Sequence, residues 1–274
     1  MARGGNSMYK KQLYVGHNEA GNYDIPALAA SGAHELVVSW DGLNKRRWRK
    51  LQEADIPMSI SLNAFPRDKS CPMDPAAWPR LRKLIDKALD YTPVAIWLDH
   101  FRFGGHWETD KKKVAELHSS CAFCDQVDRP QELAKVAREV RRQMPPWVAM
   151  GYYAVPLLPS EHPEVIESLG QDHTQLAPYF EEVSPMLYHR MLGKPVEYIS
   201  QYIDWLKQTT EAAILPILQL KDMPDSLPDT LHPKEIAAAY EQAKLSEPAG
   251  VAFFHWGHAL EKKKTDTIQR LFTS

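Results

Sequence analysis

The chain has 274 residues, of which 44% are hydrophobic and 25% charged, and its formal net charge is −2. This composition excludes a disordered chain, and the small charge gives no overall field that would draw the protein to nucleic acid. No stretch approaches the roughly eighteen apolar residues of a membrane-spanning helix, so we expect neither nucleic-acid nor membrane partners. A cytoplasmic protein is the default expectation, and a secreted or periplasmic one stays open. The sequence predicts no oligomeric state.

Eight short apolar runs, rich in β-branched and aromatic residues, have the length and composition of buried strands. In chain order they cover 13–17, 35–40, 57–63, 94–99, 147–153, 184–189, 213–219 and 250–256. Helical or helix-length segments lie between them. These cover 25–30, 43–54, 75–91, 133–140, 173–182, 196–206 and 232–245, with a closing helix through Leu271.

Apolar strands that alternate with amphipathic helices predict a parallel sheet covered by helices. Eight such units predict an α/β fold, a single (β/α)8 TIM barrel over residues 12–274, preceded by a flexible segment at 1–11. An open doubly wound sheet is the structural alternative. The chain has no glycine-rich phosphate loop of the kind such sheets often carry, which favours the barrel.

Active sites of such barrels lie at the carboxyl ends of the strands. The polar and aromatic residues predicted there suit a hydroxyl-rich carbohydrate, because rings stack on a sugar face and polar groups bond its hydroxyls. The predicted substrate-binding residues are His17, Trp40, Asp41, Asn63, Trp97, Arg102, Tyr153, Tyr188, His189, Gln219, His255 and Trp256. We expect stacking on Trp40, Trp97 or Trp256.

Asp99 is the predicted catalytic carboxylate, because it ends a strand that should be deeply buried. Strand alternation predicts that Trp97, Asp99 and Phe101 share one face and that His100 and Arg102 share the other. The alternative is a structural Asp99, bonded to backbone amides or paired with Arg102.

Glycosidic cleavage usually requires a second carboxyl group. Glu108, in the long loop 103–128, is the predicted partner, with a solvated loop residue as the alternative. Asp41 and Asp222 are further candidates, each with a structural interpretation. One of the two carboxyl groups must stay protonated near neutral pH to act as the acid.

A metal site is a weaker hypothesis. His17, His189, His255 and Asp99 could supply ligands, but the first strand lacks a His-x-His pair, so we expect no catalytic metal and no cofactor. Cys121 and Cys124 have CxxC spacing. A loop staple, reduced or disulfide-linked, is the expectation, and a zinc site completed by Cys71 and His118 is the alternative.

Several motifs resemble those of glycoside-hydrolase-like TIM-barrel proteins of bacteria. They are VAIWLDHFRFGGHWE, CAFC, SPMLYHRM and GVAFFHWG. More distantly, Asp99 with Met186 and Tyr188 is similar to the layout of chitinase-type barrels. Those enzymes carry a DxxDxDxE series, whereas Phe101 stands two residues after Asp99 here, so the resemblance does not imply substrate-assisted catalysis. It implies a carbohydrate-active barrel with its site at the strand ends.

The leading hypothesis is therefore a glycoside hydrolase acting on an oligo- or polysaccharide, with Asp99 as nucleophile or base and Glu108 as acid. The alternatives are a non-catalytic carbohydrate-binding barrel, which keeps the aromatic rim but lacks the acid, and a metal-dependent hydrolase.

Overall fold

The structure is a computed structural model that describes residues 9–16, 23–66, 71–104, 121–124, 126–223 and 227–274. Three residues singled out in the sequence, His17, Glu108 and His118, lie outside the described residues. Their roles therefore stay predictions.

The strands form one parallel sheet. They are β1 (Lys10–Val15), β2 (Glu35–Ser39), β3 (Met58–Asn63), β4 (Ala95–Asp99), β5 (Ala149–Ala154), β6 (Glu182–Pro185), β7 (Ala213–Ile214), β8 (Ile217–Gln219) and β9 (Gly250–Phe254). Their order in the sheet is β7-β6-β5-β4-β3-β2-β1-β9-β8. Consecutive strands are neighbours through most of this order, as the predicted alternation of strands and helices requires.

The seventh predicted strand is divided into β7 and β8, which stand at opposite ends of the sheet order. Pro216 lies in the gap, where it has no N–H to donate to a neighbouring strand, although its carbonyl accepts from the Ala252 N–H at 2.8 Å. Just after β6, Met186 forms a parallel bridge to Ile217 of β8. The fold is an α/β barrel, as predicted.

Ten helices are described. They are α1 (Ile25–Ala29), α2 (Lys45–Gln52), α3 (Ala77–Leu89), α4 (Arg129–Gln143), α5 (Val165–Leu169), α6 (His173–Leu176), α7 (Tyr198–Lys207), α8 (Pro233–Leu245), α9 (Trp256–Glu261) and α10 (Thr265–Thr273). Side-chain caps set several starts: the Asn44 side chain accepts from the Arg47 N–H at 3.0 Å, and that of Asp128 accepts from the Gln131 N–H at 3.0 Å. None of the described helices is both long and apolar enough to span a membrane.

Several sequence-based boundaries were wrong. The sixth predicted strand ends at Pro185 and not at 189, and the eighth ends at Phe254 and not at 256. The helix predicted over 173–182 is a single turn, α6, followed by a 3-10 turn at Ala177–Tyr179, and Glu182 already opens β6. Pro178 explains the early end, because it has no N–H to donate to the carbonyl four residues earlier and so cannot continue the α-helical hydrogen bonds. At the other end of the chain, β1 begins at Lys10, inside the segment 1–11 that was predicted to be flexible. Lys10 pairs there with Gly250 of β9.

By internal contacts the chain divides into two compact units. The first comprises Met1–Ser59, Ser184–Asp204 and Ala213–Ser274, and the second comprises Ile60–Val183 and Trp205–Ala212. Each unit has fully buried apolar strand residues, such as Leu13 and Phe253 in the first and Leu62 and Leu98 in the second. The candidate site residues fall into both units.

Candidate active site

Asp99 ends β4 in the second unit and reaches solvent, with 36% of its side chain exposed. One carboxylate oxygen, Oδ1, accepts from the backbone N–H of His100 at 2.7 Å, and Oδ2 lies 3.8 Å from Nε2 of the same histidine. The bond to a backbone amide that the structural alternative required is therefore present. This hydrogen bond orients the Asp99 carboxylate through Oδ1 alone. Oδ2 lies beside the His100 ring, which is itself partly accessible to solvent.

The backbone turns directly after Asp99. His100 has φ of +51°, in the left-handed region that a residue with a Cβ seldom adopts. The strict alternation predicted through residue 102 consequently ends at Asp99. Phe101 packs at 5.4 Å against Phe180, which also packs at 4.6 Å against Tyr152 of β5. The prediction that His100 points away from Asp99 was wrong, because the turn brings its ring to the carboxylate.

Asn63 lies directly opposite Asp99, since β3 and β4 pair in the register Asn63↔Asp99 and Ser61↔Trp97. The two side chains therefore extend from the same face of adjacent strands. Oδ1 of Asn63 is buried and has no hydrogen-bond partner among the described residues. A buried acceptor without a partner is costly, and at a candidate site it is available to a ligand donor.

Beside Asp99, Trp97 forms a flat aromatic layer on β4. Its ring stacks with that of Tyr153 at 5.4 Å and 20°, and it covers the backbone of Gly151, its register partner on β5. A Cβ at position 151 would lie 2.5 Å from Cε3 of Trp97, so only glycine admits the ring there. Trp97 is fully buried, which counts against the predicted stacking on a sugar and makes it a support for the strand end instead.

Gln171 is a site-positioning residue that sequence reasoning missed. Its side-chain amide donates to the carbonyls of Phe101 at 3.1 Å and Tyr153 at 2.9 Å, while its Oε1 accepts from the Val155 N–H at 3.0 Å. It thereby links the segments that follow β4 and β5. A lone glutamine between two short helices gives no sequence signal for this role.

Arg102 is also buried, and its Nη1 lies 3.5 Å from the carbonyl of Phe103. Its backbone N–H donates to the His100 carbonyl at 2.8 Å, which stabilises the turn after Asp99. This position suits a residue that shapes the turn. The predicted bond from Arg102 to a sugar hydroxyl stays a prediction.

On the opposite face of β5, Tyr152 and His173 form a buried pair, with the phenol oxygen 2.6 Å from Nδ1. The His173 ring also meets the edge of Trp205 in α7. Burial lowers the pKa of His173 to about 4, against a smaller opposing effect of Asp172. Burial likewise raises the pKa of Tyr152. This pair lies between sheet and helices and is structural.

In the first unit, aromatic residues gather around Phe254 near the end of β9. Its ring lies 5.2 Å from Tyr14 and 5.7 Å from Tyr188, a predicted sugar-binding residue. His255 caps α9, since its Nδ1 accepts from the Gly257 N–H at 3.1 Å. Trp256 is fully buried and its indole N–H donates to the Tyr23 carbonyl at 2.6 Å, which counts against the predicted stacking on a sugar.

Gln219 and Asp222 both hold Arg190 in place. The Gln219 side chain accepts from the Arg190 backbone N–H at 3.2 Å and donates to the Lys221 carbonyl at 2.9 Å. Asp222 binds the Arg190 guanidinium at 2.9 Å and accepts two hydrogen bonds from Thr230. The Asp222 carboxylate is thus engaged by one guanidinium and two hydrogen bonds. We therefore interpret Asp222 as structural and not as a second catalytic acid.

His189, also in the first unit, has a ring nitrogen that is available to a ligand. It is buried, and its Nδ1 has no hydrogen-bond partner in the part of the chain that the structure describes. Burial, followed by the Arg190 charge, lowers the pKa of His189, so the ring is neutral at physiological pH.

After β2, Trp40 is half-buried and Asp41 is exposed. The Asp41 carbonyl accepts from the Arg47 side chain at 3.2 Å. Trp40 is therefore the one of the three predicted stacking tryptophans that keeps exposed surface.

Three cysteines form the one group among the described residues whose ligand atoms could jointly hold a metal ion. They are Cys71, Cys121 and Cys124, in the segments after β3 and β4. The catalytic-metal hypothesis proposed His189, His255 and Asp99 as ligands. Among the residues that the structure describes, these three belong to no group that could hold a metal ion.

No protein-family model and no curated protein sequence matches the chain. Solved structures do match its fold. The glycoside hydrolase domain of PgaB (BpsB) from Bordetella bronchiseptica aligns with a TM-score of 0.73 and 9% identity, covering 97% of this chain and 99% of that one. The spore cortex-lytic enzyme SleL from Bacillus cereus aligns with a TM-score of 0.65 and 9% identity, covering 97% and 73%.

A family GH18 chitinase from Cycas revoluta, solved in complex with (GlcNAc)3, aligns with a TM-score of 0.61 and 11% identity, covering 96% and 100% of the two chains. At these identities the likeness is one of fold. The chain is an α/β barrel with the architecture of glycoside hydrolases, and the distant similarity to chitinase-type barrels expected from the sequence is confirmed.

Proposed function

We propose that the protein is a glycoside hydrolase that cleaves O-glycosidic bonds in an oligo- or polysaccharide, with Asp99 as nucleophile or base. The observation that carries the proposal is the half-buried but solvent-accessible carboxylate of Asp99 at the end of β4, oriented by a backbone N–H. A barrel with the fold of known glycoside hydrolases carries such a group where chemistry is expected.

Two features around Asp99 support this role. Asn63 offers a buried Oδ1 that a sugar hydroxyl or amide N–H could satisfy. Trp97 is fully buried and stacks on Tyr153 of β5, which anchors the end of β4 that carries Asp99. Precise orientation of a reacting group lowers the entropic part of the barrier.

The reaction needs a second carboxyl group that donates a proton to the departing glycosidic oxygen while Asp99 attacks the anomeric carbon or removes a proton from water. Phe101 is fully buried and has no acidic group, so the chitinase-type acid two residues after the aspartate has no equivalent here. Glu108 is the proposed acid. Of the sugar-binding predictions, those for Asn63 and Arg102 concern the same unit as Asp99 and are retained with it. Those for Trp40, Tyr188 and His189 stay predictions for the first unit.

The test is hydrolysis of a glycan panel, which includes N-acetylglucosamine oligomers because a chitinase with this fold binds them. Release of reducing ends is compared between the wild type and Asp99→Asn, with exposed Asp90→Asn as the matched control. We expect Asp99→Asn to lower kcat by at least about 100-fold on a responsive glycan and Asp90→Asn to leave it unchanged.

Unchanged hydrolysis in Asp99→Asn would show that Asp99 is not catalytic. Glycan binding without hydrolysis by the wild type, across the panel, would contradict the enzyme and favour the carbohydrate-binding alternative. Glu108→Gln tests the acid separately. Glycosides with good leaving groups need little protonation, so the variant should lose less activity on them than on glycosides with poor leaving groups.

A further inference from the structure

Cys71 lies fifty residues before the CxxC pair of Cys121 and Cys124 in the sequence, but the three cysteines converge in the second unit. The Sγ atoms of Cys71, Cys121 and Cys124 all lie within 4.8 Å of one another. Cys124 is buried, the other two are half-buried, and none is in a disulfide. A disulfide could join only two of them and would leave the third thiol beside it.

Each sulfur comes from a tight turn. The Cys124 N–H donates to the Cys121 carbonyl at 3.2 Å, which places the two side chains of the CxxC pair on the same side. At Cys71, the Asp74 N–H donates to the Cys71 carbonyl at 3.0 Å, and the Met73 N–H donates to the sulfur itself at 3.4 Å. The Met73 N–H favours the thiolate, which is the form that binds metals, but burial has the larger effect and raises the pKa of Cys71 in the metal-free chain.

The spacing fits one metal ion. Thiolates bind zinc at about 2.3 Å, so sulfurs that share a tetrahedral zinc lie about 3.8 Å apart. The observed separations need to contract by no more than about an ångström. Three cysteine sulfurs are soft ligands, which select zinc over magnesium, calcium or manganese.

We propose that Cys71, Cys121 and Cys124 bind a structural zinc ion through their three thiolates. On binding, the three thiols release their protons to solvent and no oxidant or reductant is needed. This departs from the expectation that the chain takes no cofactor. It does not rest on the proposed glycoside hydrolase activity.

The position of the site in the fold gives it a role. Cys71 follows β3 and the CxxC pair follows β4, the two strands that end in Asn63 and Asp99. A zinc ion would therefore tie together the two segments that continue from the candidate active site. Asp128, which caps α4 four residues after Cys124, anchors the far end of the second segment.

The ion is also within reach of solvent. A cleft of about 530 Å³ lies beside Cys124 and is lined by Asp128, Arg129, Glu167 and Gln175 among others. We expect a chelator or a thiol reagent to gain access to the site without unfolding of the whole chain.

The test uses the full chain, purified under reducing conditions without chelator. Elemental analysis should find about one zinc per chain in the wild type and less than about one tenth in Cys71→Ser and Cys124→Ser. His162→Gln, which removes a potential ligand elsewhere, is the control and should keep its zinc. Loss of a buried thiol can also prevent folding, so a second measurement is made on the wild type alone. Replacement of zinc by cobalt should give thiolate-to-metal charge-transfer absorption.

The proposal is overturned if reduced wild-type protein takes up neither zinc nor cobalt, or if alkylation and mass mapping recover a disulfide between two of the cysteines. It is also overturned if Cys71→Ser keeps a full zinc content. Zinc content and glycan hydrolysis are separate readouts, so loss of either proposal leaves the other standing.

Discussion

Asn63 and Asp99 face each other as register partners at the carboxyl ends of two adjacent parallel strands. One offers a buried amide oxygen without a partner among the described residues, and the other an accessible carboxylate. A neutral hydrogen-bonding group therefore stands beside a single carboxylate at this end of the sheet.

Replacement of Asn63 tests whether its side chain contacts substrate. We expect Asn63→Ala to lower kcat/KM by about 10- to 100-fold, the value of a hydrogen bond to a polar or charged group, with little change in thermal stability. Stability should hold because Oδ1 has no described internal bond to lose. A matching fall in stability and activity would mean that the residue is only structural.

Asn63→Asp should act differently, because it places a second carboxylate opposite Asp99. A like charge disfavours ionisation and raises the pKa of the neighbouring carboxyl group. The acidic limb of the pH–rate profile should therefore move to higher pH. An unmoved limb would contradict the placement of residue 63 beside the carboxyl group on which the activity depends.

Gly151→Ala should destabilise the protein by about 1–3 kcal/mol, because the new Cβ would lie 2.5 Å from the Trp97 ring. Urea unfolding measures the effect. Trp97→Phe makes room, so the double variant Trp97→Phe/Gly151→Ala should cost less than the sum of the two single changes. Strict additivity would show that the contact does not determine the choice of glycine.

Gln171→Leu should cost about 2–5 kcal/mol in the free energy of unfolding, because it leaves two carbonyls and one N–H buried without their partner. Gln131→Leu, at an exposed position, is the matched control and should be close to neutral. Turnover should also fall at temperatures where the variant is still folded, since the segments after β4 and β5 lose their link. A fully active Gln171→Leu would remove Gln171 from the positioning residues.

The buried pair of Tyr152 and His173 should make stability depend on pH. Burial lowers the pKa of His173 to about 4, so the unfolded chain binds the proton first. The stabilising contribution is complete above the unfolded pKa of about 6.5 and is lost as the pH falls from there to about 4, by about 3 kcal/mol.

His173→Asn should remove this component, so the difference in unfolding free energy between wild type and variant should shrink over that interval. Urea unfolding at intervals of pH measures it. Parallel curves for the two proteins would contradict the assignment, because other titrating groups are common to both.

The sequence predicted the repeating elements because each is a local pattern. Apolar runs and helical stripes identify strands and helices one at a time, and their alternation along the chain predicts a barrel and directs attention to Asp99 at a strand end. The predicted element boundaries were wrong where a proline ends a helix, at Pro178, and where strand pairing begins before the apolar run, at Lys10. Pro216, which divides the seventh strand, lies inside a run whose pattern looks continuous.

The chemistry around Asp99 depended on tertiary structure. The register that sets Asn63 opposite Asp99, the left-handed turn at His100 and the link made by Gln171 all join residues through contacts that a periodic pattern does not encode. The convergence of Cys71 with the CxxC pair is of the same kind, because fifty residues separate them and only the adjacency of β3 and β4 brings them together. Local periodicity thus determined the architecture, and pairing between distant segments decided the site.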